Sequence, residues 1–287
     1  MLDLYKPPLS RQLPAVIYHY TCREALLGII QKQALWATNI RYLNDSREFN
    51  AAIEVAGSVL DEILANALEN YKKTALESFR SWLAPQNNMQ FQAYVCSFSE
   101  NGDLLSQWRT YSKAGDGYAI GFDAEALMKL TAGQGFLLAP CTYDESEQRQ
   151  LISNFLTDEL YQLKIDTDPQ GFGISCLLKF LCVAPLIKDK GFKEELEWRL
   201  VAPLTAQPPI GLSFRSGKSM VIPYIKFPLP IRPDASQDDA KIVLPIKEVI
   251  IGPSPHSLLD SMAVTQLQHI NAISVACSCS RIPFRDW

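Results

Sequence analysis

The order of strand-like and helix-like segments is the feature that most constrains the fold of this chain. Short segments rich in β-branched and aromatic residues predict strands at 15–20, 35–38, 93–98, 118–122, 135–143, 195–201, 220–227, 248–251 and 273–277. Helical periodicity is grouped in blocks at 25–33, 46–82, 104–111, 144–165, 172–184 and 256–269. Because this order lacks the regular alternation of a βαβ repeat, it favours a mixed α+β fold over a doubly wound parallel sheet.

The composition is that of a packed globular protein. Of the 287 residues, 47% are apolar and 20% are charged, which is ordinary for a folded domain. We predict a single domain over residues 1–287 that begins with a Pro-containing lead-in at 1–14. The segment 228–240 is rich in Pro and Asp, and it predicts an exposed loop within that domain.

The net charge and the apolar segments argue against nucleic-acid and membrane binding by the chain as a whole. The formal net charge is -4, so no overall positive field attracts nucleic acid or an anionic membrane. The first residues show no apolar core of signal-peptide length. No uncharged apolar stretch reaches the roughly 18 residues of a membrane span. We therefore expect a cytoplasmic protein without a membrane partner.

Cysteine and histidine usage predicts no metal site. Most of the 7 cysteines lie in apolar surroundings, as Cys96 and Cys182 do, which is typical of reduced, buried thiols in the cytoplasm. The spacing of Cys277 and Cys279 does not fit a zinc site, and no second pair accompanies them. With only 3 histidines, a histidine-rich metal site is excluded.

Common catalytic motifs are missing from the sequence. It contains no G-x-x-x-x-G-K-[ST] phosphate loop, no G-x-S-x-G nucleophile elbow and no H-E-x-x-H zinc motif. The glycine-rich stretch GDGYAIGF at 115–122 lacks the spacing of a dinucleotide-binding fingerprint. These absences exclude most of the common enzyme classes.

His19 lies near the end of the first predicted strand, where side chains of functional sites often project. The alternative is a half-buried histidine that satisfies a backbone carbonyl. Thr21 and Asp45 are interpreted as helix caps, because a Glu follows each of them at the third position. The loop RYLND at 41–45 nevertheless holds more polar groups than capping requires.

Trp108 and Tyr111 follow Leu104 at helical spacing. The first explanation for this pattern is a helix face that packs into the core. The alternative is an aromatic wall for the ring of a ligand.

Glu195, Glu197 and Arg199 alternate with apolar residues in the segment ELEWRLV at 195–201. In a strand, this alternation places the three charged side chains on one face. On a solvent-exposed face they would form a salt-bridge ladder of little energetic weight. In a cleft, Arg199 would hold one carboxylate ionised, as required to stabilise an oxocarbenium-like charge. The residues alone leave both roles open.

Taken together, several of these segments resemble a bacterial family known only as a domain of unknown function. The resemblance spans about residues 15–255 and rests on YHYT at 18–21, LWATNIRYLNDSRE at 35–48, CSFSE at 96–100, WRTY at 108–111, GYAIGFD at 117–123, ELEWR at 195–199 and IIGP at 250–253. That family is similar to a distant branch of the ADP-ribosyltransferase-like fold. The resemblance implies a split, strongly bent β-sheet with a cleft for NAD.

The resemblance also implies roles for individual residues. His19 would bind a ribose of NAD with Tyr20 and Thr21 beside it, and Glu197 would be the catalytic acid, with Glu195 as its rival. The remaining residues that would contact NAD or orient the acid are Arg41, Asn44, Ser97, Ser99, Trp108, Tyr111 and Arg199. Trp108 or Tyr111 would supply the ring for nicotinamide. Ser97 and Ser99, or the W-x-x-Y helix, correspond only loosely to the second motif of the superfamily.

Three hypotheses about function follow. The first is an NAD-dependent ADP-ribosyltransferase that uses NAD as substrate and a macromolecule or water as acceptor; by analogy, its setting would be a bacterial toxin or anti-phage defence. The second is a nucleotide-sensing or nucleic-acid-processing module of a defence system that uses the same cleft without transfer. The third is a structural or interaction protein. The helices at 46–82 and 144–184 are expected either to cover the sheet or to form a homodimer face.

Overall fold

The computed structural model describes residues 7, 9–43, 48–66, 68–88, 92–111, 115–204, 211–217, 219–229 and 245–283. In these ranges the strands are β1 Val16–Cys22, β2 Ala34–Asn39, β3 Gln92–Ser99, β4 Gly117–Asp123, β5 Leu137–Pro140, β6 Glu197–Leu204, β7 Ser213–Ser216, β8 Val221–Pro228, β9 Ile246–Ile251 and β10 Ala276–Cys279. The helices are α1 Arg23–Lys32, α2 Glu48–Ala65, α3 Asn70–Leu83, α4 Pro85–Asn88, α5 Leu105–Tyr111, α6 Ala124–Gln134, α7 Glu145–Gln162, α8 Pro169–Val183 and α9 Ser257–Ile270. The predicted α+β class is confirmed.

Most of the predicted elements are present. Helices α4 and α6 and strand β7 were not predicted, and the strand expected at 135–143 is limited to Leu137–Pro140. The predicted capping role of Thr21 is wrong, because β1 continues to Cys22, which is the N-cap of α1 and makes no side-chain capping bond. Asp45 and most of the loop predicted at 228–240 lie outside the described residues.

The described strands form one mixed sheet in which β3 is the branching strand. On one edge, β3 pairs with β6 along its whole length, and β6 pairs in turn with β5. On the other edge, the sheet continues from β1 through β4 and β9 to β10, and from β2 through β8 to β7. The pairing of β9 with β10 is parallel, and the other pairings between the described strands are antiparallel.

The sheet splits along one edge of β3. There, β3 pairs with β2 through Tyr94 and Val95 and with β1 only at Ser99. Between these pairings, residues 96–98 have no ladder partner on that edge among the described strands. The split sheet expected from the family resemblance is therefore present, and β3 lies between the strand of His19 and the strand of Glu197.

Helices cover both faces of the sheet. One apolar cluster joins α2, α3, α7 and α8 to the face of β3 and β6 that includes Val95 and Val201. A second cluster joins α1 and α6 to the opposite face, which includes Phe98, Trp198 and Leu200. Both faces of these strands are buried against apolar side chains, which explains why their sequences are nearly continuous hydrophobic runs.

The segment Pro169–Leu186 is long and apolar enough to cross a membrane by length and composition, but 61% of it is buried inside the protein. Its residues Cys176, Leu177 and Phe180 belong to the same apolar cluster as Phe79 of α3. This is the packing of a core helix.

Gly252 marks the end of β9 in the IIGP motif, at a point where the backbone approaches its neighbours closely. Its amide nitrogen donates to the carbonyl oxygen of Gly117. A Cβ atom at this position would lie 2.9 Å from that oxygen and 2.9 Å from the indole ring of Trp108. The absence of a side chain therefore lets α5 pack against the end of the sheet.

We predict that Gly252→Ala lowers the free energy of unfolding by about 1–3 kcal/mol, because the added methyl group meets backbone and a buried indole. The matched control is Gly57→Ala in the middle of α2, where an added Cβ meets nothing within 4 Å. That change is expected to raise stability by about 0.5–1 kcal/mol. Urea unfolding of both variants measures the difference. Equal stability of the two variants would show that the close approach at Gly252 is not a constraint.

Candidate active site

Glu197 and Arg199 lie in an interior strand and are almost completely buried. Strand β6 is paired on both edges, with Glu197 opposite Ser99 and Arg199 opposite Ser97. Glu197 is 3% exposed and Arg199 is 1% exposed. The alternative of a solvent-exposed salt-bridge ladder is therefore wrong for these two residues.

Both oxygens of the Glu197 carboxylate are held by cations. Arg199 donates from Nε to Oε1 at 2.7 Å and from Nη2 to Oε2 at 3.2 Å. Its Nη1 donates to the carbonyl oxygen of Pro185 at 2.6 Å, which fixes the guanidinium. The ammonium of Lys188 contacts Oε2 of Glu197 as well. Charge-assisted bonds of this kind fix the geometry of a carboxylate.

Glu195 reaches the same cluster from outside the strand. The prediction that it shares a strand face with Glu197 is wrong, because residues Lys190–Glu195 form a 3-10 turn and Leu196 has a φ of 42°. This left-handed residue redirects the chain before β6 begins. The carboxylate of Glu195 nevertheless contacts the ammonium of Lys188, so a single lysine joins the two glutamates.

The surrounding charges keep Glu197 ionised. Burial alone would raise the pKa of its carboxyl group, but the charges and hydrogen bonds of Arg199 and Lys188 outweigh burial and lower the pKa from 4.5 to about 2. For Lys188, burial acts to lower the pKa, and the carboxylates of Glu197 and Glu195 raise it above its ordinary value. Glu197 and Lys188 therefore carry opposite charges at neutral pH.

Tyr111 is the predicted aromatic residue that lies beside this cluster. It ends α5, and 39% of it is exposed. Desolvation of its hydroxyl and the negative charges of Glu197 and Glu195 nevertheless raise its pKa to about 12. The phenol is therefore close enough to the carboxylates for their charges to raise its pKa, and part of the residue is exposed to solvent.

A pocket of about 680 Å³ adjoins the cluster, within the usual size range for small-molecule sites. Its lining residues come from α2, from the start of α7 and from the segment after α8: Asn50, Ala51, Glu54, Tyr143, Glu145, Gln148, Ile187, Lys188, Asp189, Lys190 and Phe192. Lys188 and Tyr143 belong to both the pocket and the cluster, since the Tyr143 hydroxyl accepts a hydrogen bond from the backbone nitrogen of Glu197 at 2.7 Å.

His19 lies on the opposite face of the sheet from Glu197. Tyr18, Ser99 and Glu197 are in register across β1, β3 and β6. Their side chains therefore share one face, and the side chain of His19 projects to the other. In agreement, the centroid of the His19 ring lies 5.7 Å from that of Phe98, which belongs to the second apolar cluster.

The imidazole of His19 spans the split in the sheet. Its Nδ1 lies 2.9 Å from the carbonyl oxygen of Ser97, in the part of β3 that lacks a ladder partner on that edge. Since a carbonyl oxygen only accepts, Nδ1 is the donor. Burial lowers the pKa of His19 below 6.5, although this hydrogen bond acts to raise it. His19 therefore satisfies a backbone carbonyl, as the alternative interpretation of this residue expected. A ribose-binding role for His19 stays a prediction.

Three other predicted residues have structural contacts. Tyr20 is 4% exposed; its hydroxyl donates to Asn101 O and accepts from Leu104 N. Trp108 has no exposed surface and packs edge-on against Tyr20 at 4.7 Å, with Nε1 donating to Asp103. Thr21 is 5% exposed. The prediction that Trp108 supplies a ring for a ligand is therefore wrong in this structure, and Tyr111 is the aromatic residue that remains.

The other predicted residues lie in separate places. Arg41 stacks over Phe49 with its guanidinium 4.6 Å from the ring centroid, and burial lowers its pKa. The hydroxyl of Ser99 accepts from the backbone nitrogen of Asn101, and Ser97 supplies the carbonyl oxygen that His19 contacts. Asn44 lies outside the described residues.

Lys188, Tyr143 and Arg11 were not predicted as site residues. The Arg11 guanidinium donates to the carbonyl oxygen of Glu197 at 2.8 Å and pairs with Glu100 at 3.3 Å. A charged residue directly after the apolar run 180–187 is the one feature that could have identified Lys188. Nothing in the sequence pattern distinguishes Tyr143 or Arg11.

Comparison with known proteins identifies a family for part of the chain. Residues 107–200, about a third of the chain, match the family described as "Protein of unknown function (DUF2971)". The match agrees with the expected resemblance to a family of unknown function, and the matched stretch includes the segments WRTY, GYAIGFD and ELEWR. The comparison with curated proteins gives no match.

Two solved structures are similar to the chain over most of its length. Thermus sp. 2.9 DarT in complex with NAD+ has 14% sequence identity and a TM-score of 0.36, with 95% of this chain and 98% of that chain covered. Thermus sp. 2.9 DarT in complex with ADP-ribosylated ssDNA has 14% identity and a TM-score of 0.34, with 94% and 97% covered. At these scores the similarity supports no conclusion about activity.

We predict that Glu197 makes the stability of the protein depend on acid pH. Its folded-state pKa lies below the ordinary 4.5, so the stabilisation is complete above pH 4.5 and is lost as the pH falls towards 2. At about 1.4 kcal/mol per pKa unit, the loss amounts to roughly 3 kcal/mol. Urea unfolding at a series of pH values measures it.

The matched comparison uses Glu197→Gln, which cannot titrate, and Glu159→Gln. Glu159 is a second buried glutamate, 5% exposed, that pairs with Lys179 at 2.8 Å in the helical layer. We expect Glu197→Gln to lack the acid-dependent loss and Glu159→Gln to retain it. The same dependence on pH in wild type and Glu197→Gln would contradict the assigned charge state.

Proposed function

We propose that this protein is an NAD-dependent ADP-ribosyltransferase-like enzyme with Glu197 as its catalytic carboxylate. The observation that carries the proposal is an oriented carboxylate on β6, ionised at neutral pH, beside the partly exposed Tyr111. It is further supported by the order of the sheet, in which β3 lies between β1 and β6, and by the split beside β3. A fixed negative charge is what a developing oxocarbenium ion requires.

In the proposed reaction, the bond between nicotinamide and the ribose C1′ breaks and its electron pair leaves with nicotinamide. Positive charge develops on the ribose and is stabilised by Glu197. A nucleophilic oxygen or nitrogen of the acceptor then forms a bond to C1′ and loses its proton. When water is the acceptor, the products are ADP-ribose, nicotinamide and a proton.

Individual residues have distinct roles in this proposal. Glu197 contacts the ribose, and Arg199 keeps the carboxylate oriented through its two bonds. Tyr111 stacks on the nicotinamide ring, since aromatic faces suit such contacts. The carbonyl contact of His19 holds β3 at the split. The 7 free thiols support a cytoplasmic location.

A second candidate function is nucleotide binding without transfer. It is favoured by one observation, the occupation of both Glu197 oxygens by Arg199 and Lys188 in a residue that is only 3% exposed. If these contacts persist with a ligand bound, the carboxylate cannot reach a ribose. The protein would then sense a nucleotide through the residues around Tyr111.

We predict that Glu197→Gln lowers the rate of nicotinamide release from NAD by at least about 100-fold, as expected for removal of a transition-state charge contact. Glu159→Gln, which removes a buried carboxylate of another ion pair, should leave the rate within about threefold of wild type. Chromatographic measurement of nicotinamide, with circular dichroism to verify folding, provides the data. Full activity in Glu197→Gln would remove the proposed catalytic role.

We also predict that the two candidate functions differ in whether bound NAD is cleaved. Under the first, isothermal titration calorimetry detects NAD binding, and nicotinamide accumulates in the same sample. Under the second, NAD or ADP-ribose binds with no nicotinamide released. The variant Tyr111→Ala tests the aromatic contact. It removes the ring and should weaken binding by about 1–3 kcal/mol under either function, in line with base-stacking contacts. Unchanged affinity in Tyr111→Ala would exclude this ring from the site.

A further inference from the structure

Lys188 stands between the 680 Å³ pocket and the carboxylate of Glu197. Its side chain lines the pocket, and its ammonium contacts Oε2 of Glu197. The residue is 7% exposed. A ligand that enters from the pocket therefore meets Lys188 before it meets Glu197.

The backbone around Lys188 is fixed, so that only the side chain is available to move. The Lys188 nitrogen donates to the carbonyl oxygen of Thr142 at 3.1 Å. Its own carbonyl oxygen accepts from Nε2 of Gln148 at 2.8 Å. A change in access to Glu197 must therefore come from rotation of the long, flexible lysine side chain.

The charges of the cluster allow that rotation without leaving a charge unpaired. Arg199 holds Glu197 through both carboxylate oxygens independently of Lys188. Glu195 holds Lys188 independently of Glu197, and its side chain is 21% exposed. When Lys188 leaves Glu197, the cluster separates into the pairs Glu197–Arg199 and Glu195–Lys188. This avoids the large penalty of an uncompensated buried charge.

A second contact stabilises the ammonium on the pocket side. Lys188 Nζ lies 4.9 Å from the centroid of the Phe192 ring, within the range of a cation–π interaction. Phe192 is 38% exposed and lines the pocket. The carboxylate of Glu195 and the ring of Phe192 contact the ammonium at the same time as Glu197 does, so both remain as its partners when the contact with Glu197 is broken.

We propose that Lys188 is a gate that closes Glu197 towards the pocket and opens when its ammonium leaves Glu197 and keeps Glu195 as its partner. This inference rests on the proposed function, and it assigns Lys188 and Glu195 as positioning residues for the catalytic carboxylate. The nicotinamide ribose of NAD takes the place of the ammonium at Oε2 of Glu197. In the open state, the carboxylate of Glu195 accepts the hydrogen bond of the Lys188 ammonium. Glu195 makes no contact with the reacting atoms.

The first test is a double-variant cycle on the rate of nicotinamide release. Glu195→Gln removes the alternative partner of the ammonium and should lower kcat about tenfold or more. Lys188→Met added to Glu195→Gln removes the ammonium itself, so the double variant should be more active than Glu195→Gln alone. A double variant as inactive as Glu195→Gln overturns the gate and makes Glu195 a residue that acts on substrate directly. Lys188→Gln serves the same purpose if circular dichroism shows that the methionine variant is misfolded.

The second test does not depend on activity. Exchange of the Lys188 ammonium protons with water is followed by NMR on protein labelled with ¹⁵N-lysine, and Lys188→Met identifies the signal. The gate predicts slower exchange in Glu195→Gln, because the ammonium is then retained at the buried Glu197. If the contacts of Lys188 do not change during function, loss of Glu195 as a partner should leave the exchange of its ammonium protons unchanged or make it faster. That result overturns the gate. If wild type releases no nicotinamide, the proposed function fails, and this measurement still decides whether the gate exists.

Discussion

The buried ion cluster of Glu195, Glu197, Lys188 and Arg199 is the interaction on which the rest of this structure depends. Glu197, Arg199 and Lys188 are withdrawn from water, which is tolerated only when their charges and hydrogen-bonding groups are matched. Here Arg199 contacts both oxygens of Glu197 and the carbonyl oxygen of Pro185, and Lys188 joins the two glutamates. These contacts tie β6, the turn at Ala184–Leu186 and the segment that follows it to one geometry.

The same cluster links the fold to the proposed chemistry. Because β6 is paired on both edges, Glu197 is held by the backbone as well as by its cations, and it remains charged far below neutral pH. A preorganised charge of this kind stabilises a developing cation without rearrangement at the moment of reaction. The enclosure that keeps the carboxylate ordered also closes it towards the pocket. Lys188 is the side chain that separates the two, and its second partner Glu195 gives it a position from which Glu197 is open.

Sequence periodicity predicted the elements that depend on local pattern. The alternation in ELEWRLV placed Glu197 and Arg199 on one face of a strand, and the order of segments predicted the mixed sheet. What it missed depends on tertiary contacts. Lys188 follows an apolar run and begins the charged stretch KDKGFKEELE at 188–197, and the sequence does not show which charges of this stretch meet in the interior. The left-handed Leu196 removes Glu195 from the strand, and the register of β1 with β3 turns His19 to the opposite face. Neither can be predicted from residue spacing.

A structure of the protein with a non-hydrolysable NAD analogue bound tests the central claim most directly. The account predicts a carboxylate oxygen of Glu197 within about 3.5 Å of the nicotinamide ribose, with Arg199 still in place, the ring of Tyr111 against nicotinamide and the ammonium of Lys188 on Glu195. An analogue bound elsewhere, with Glu197 still enclosed by Lys188 and Arg199, would contradict it.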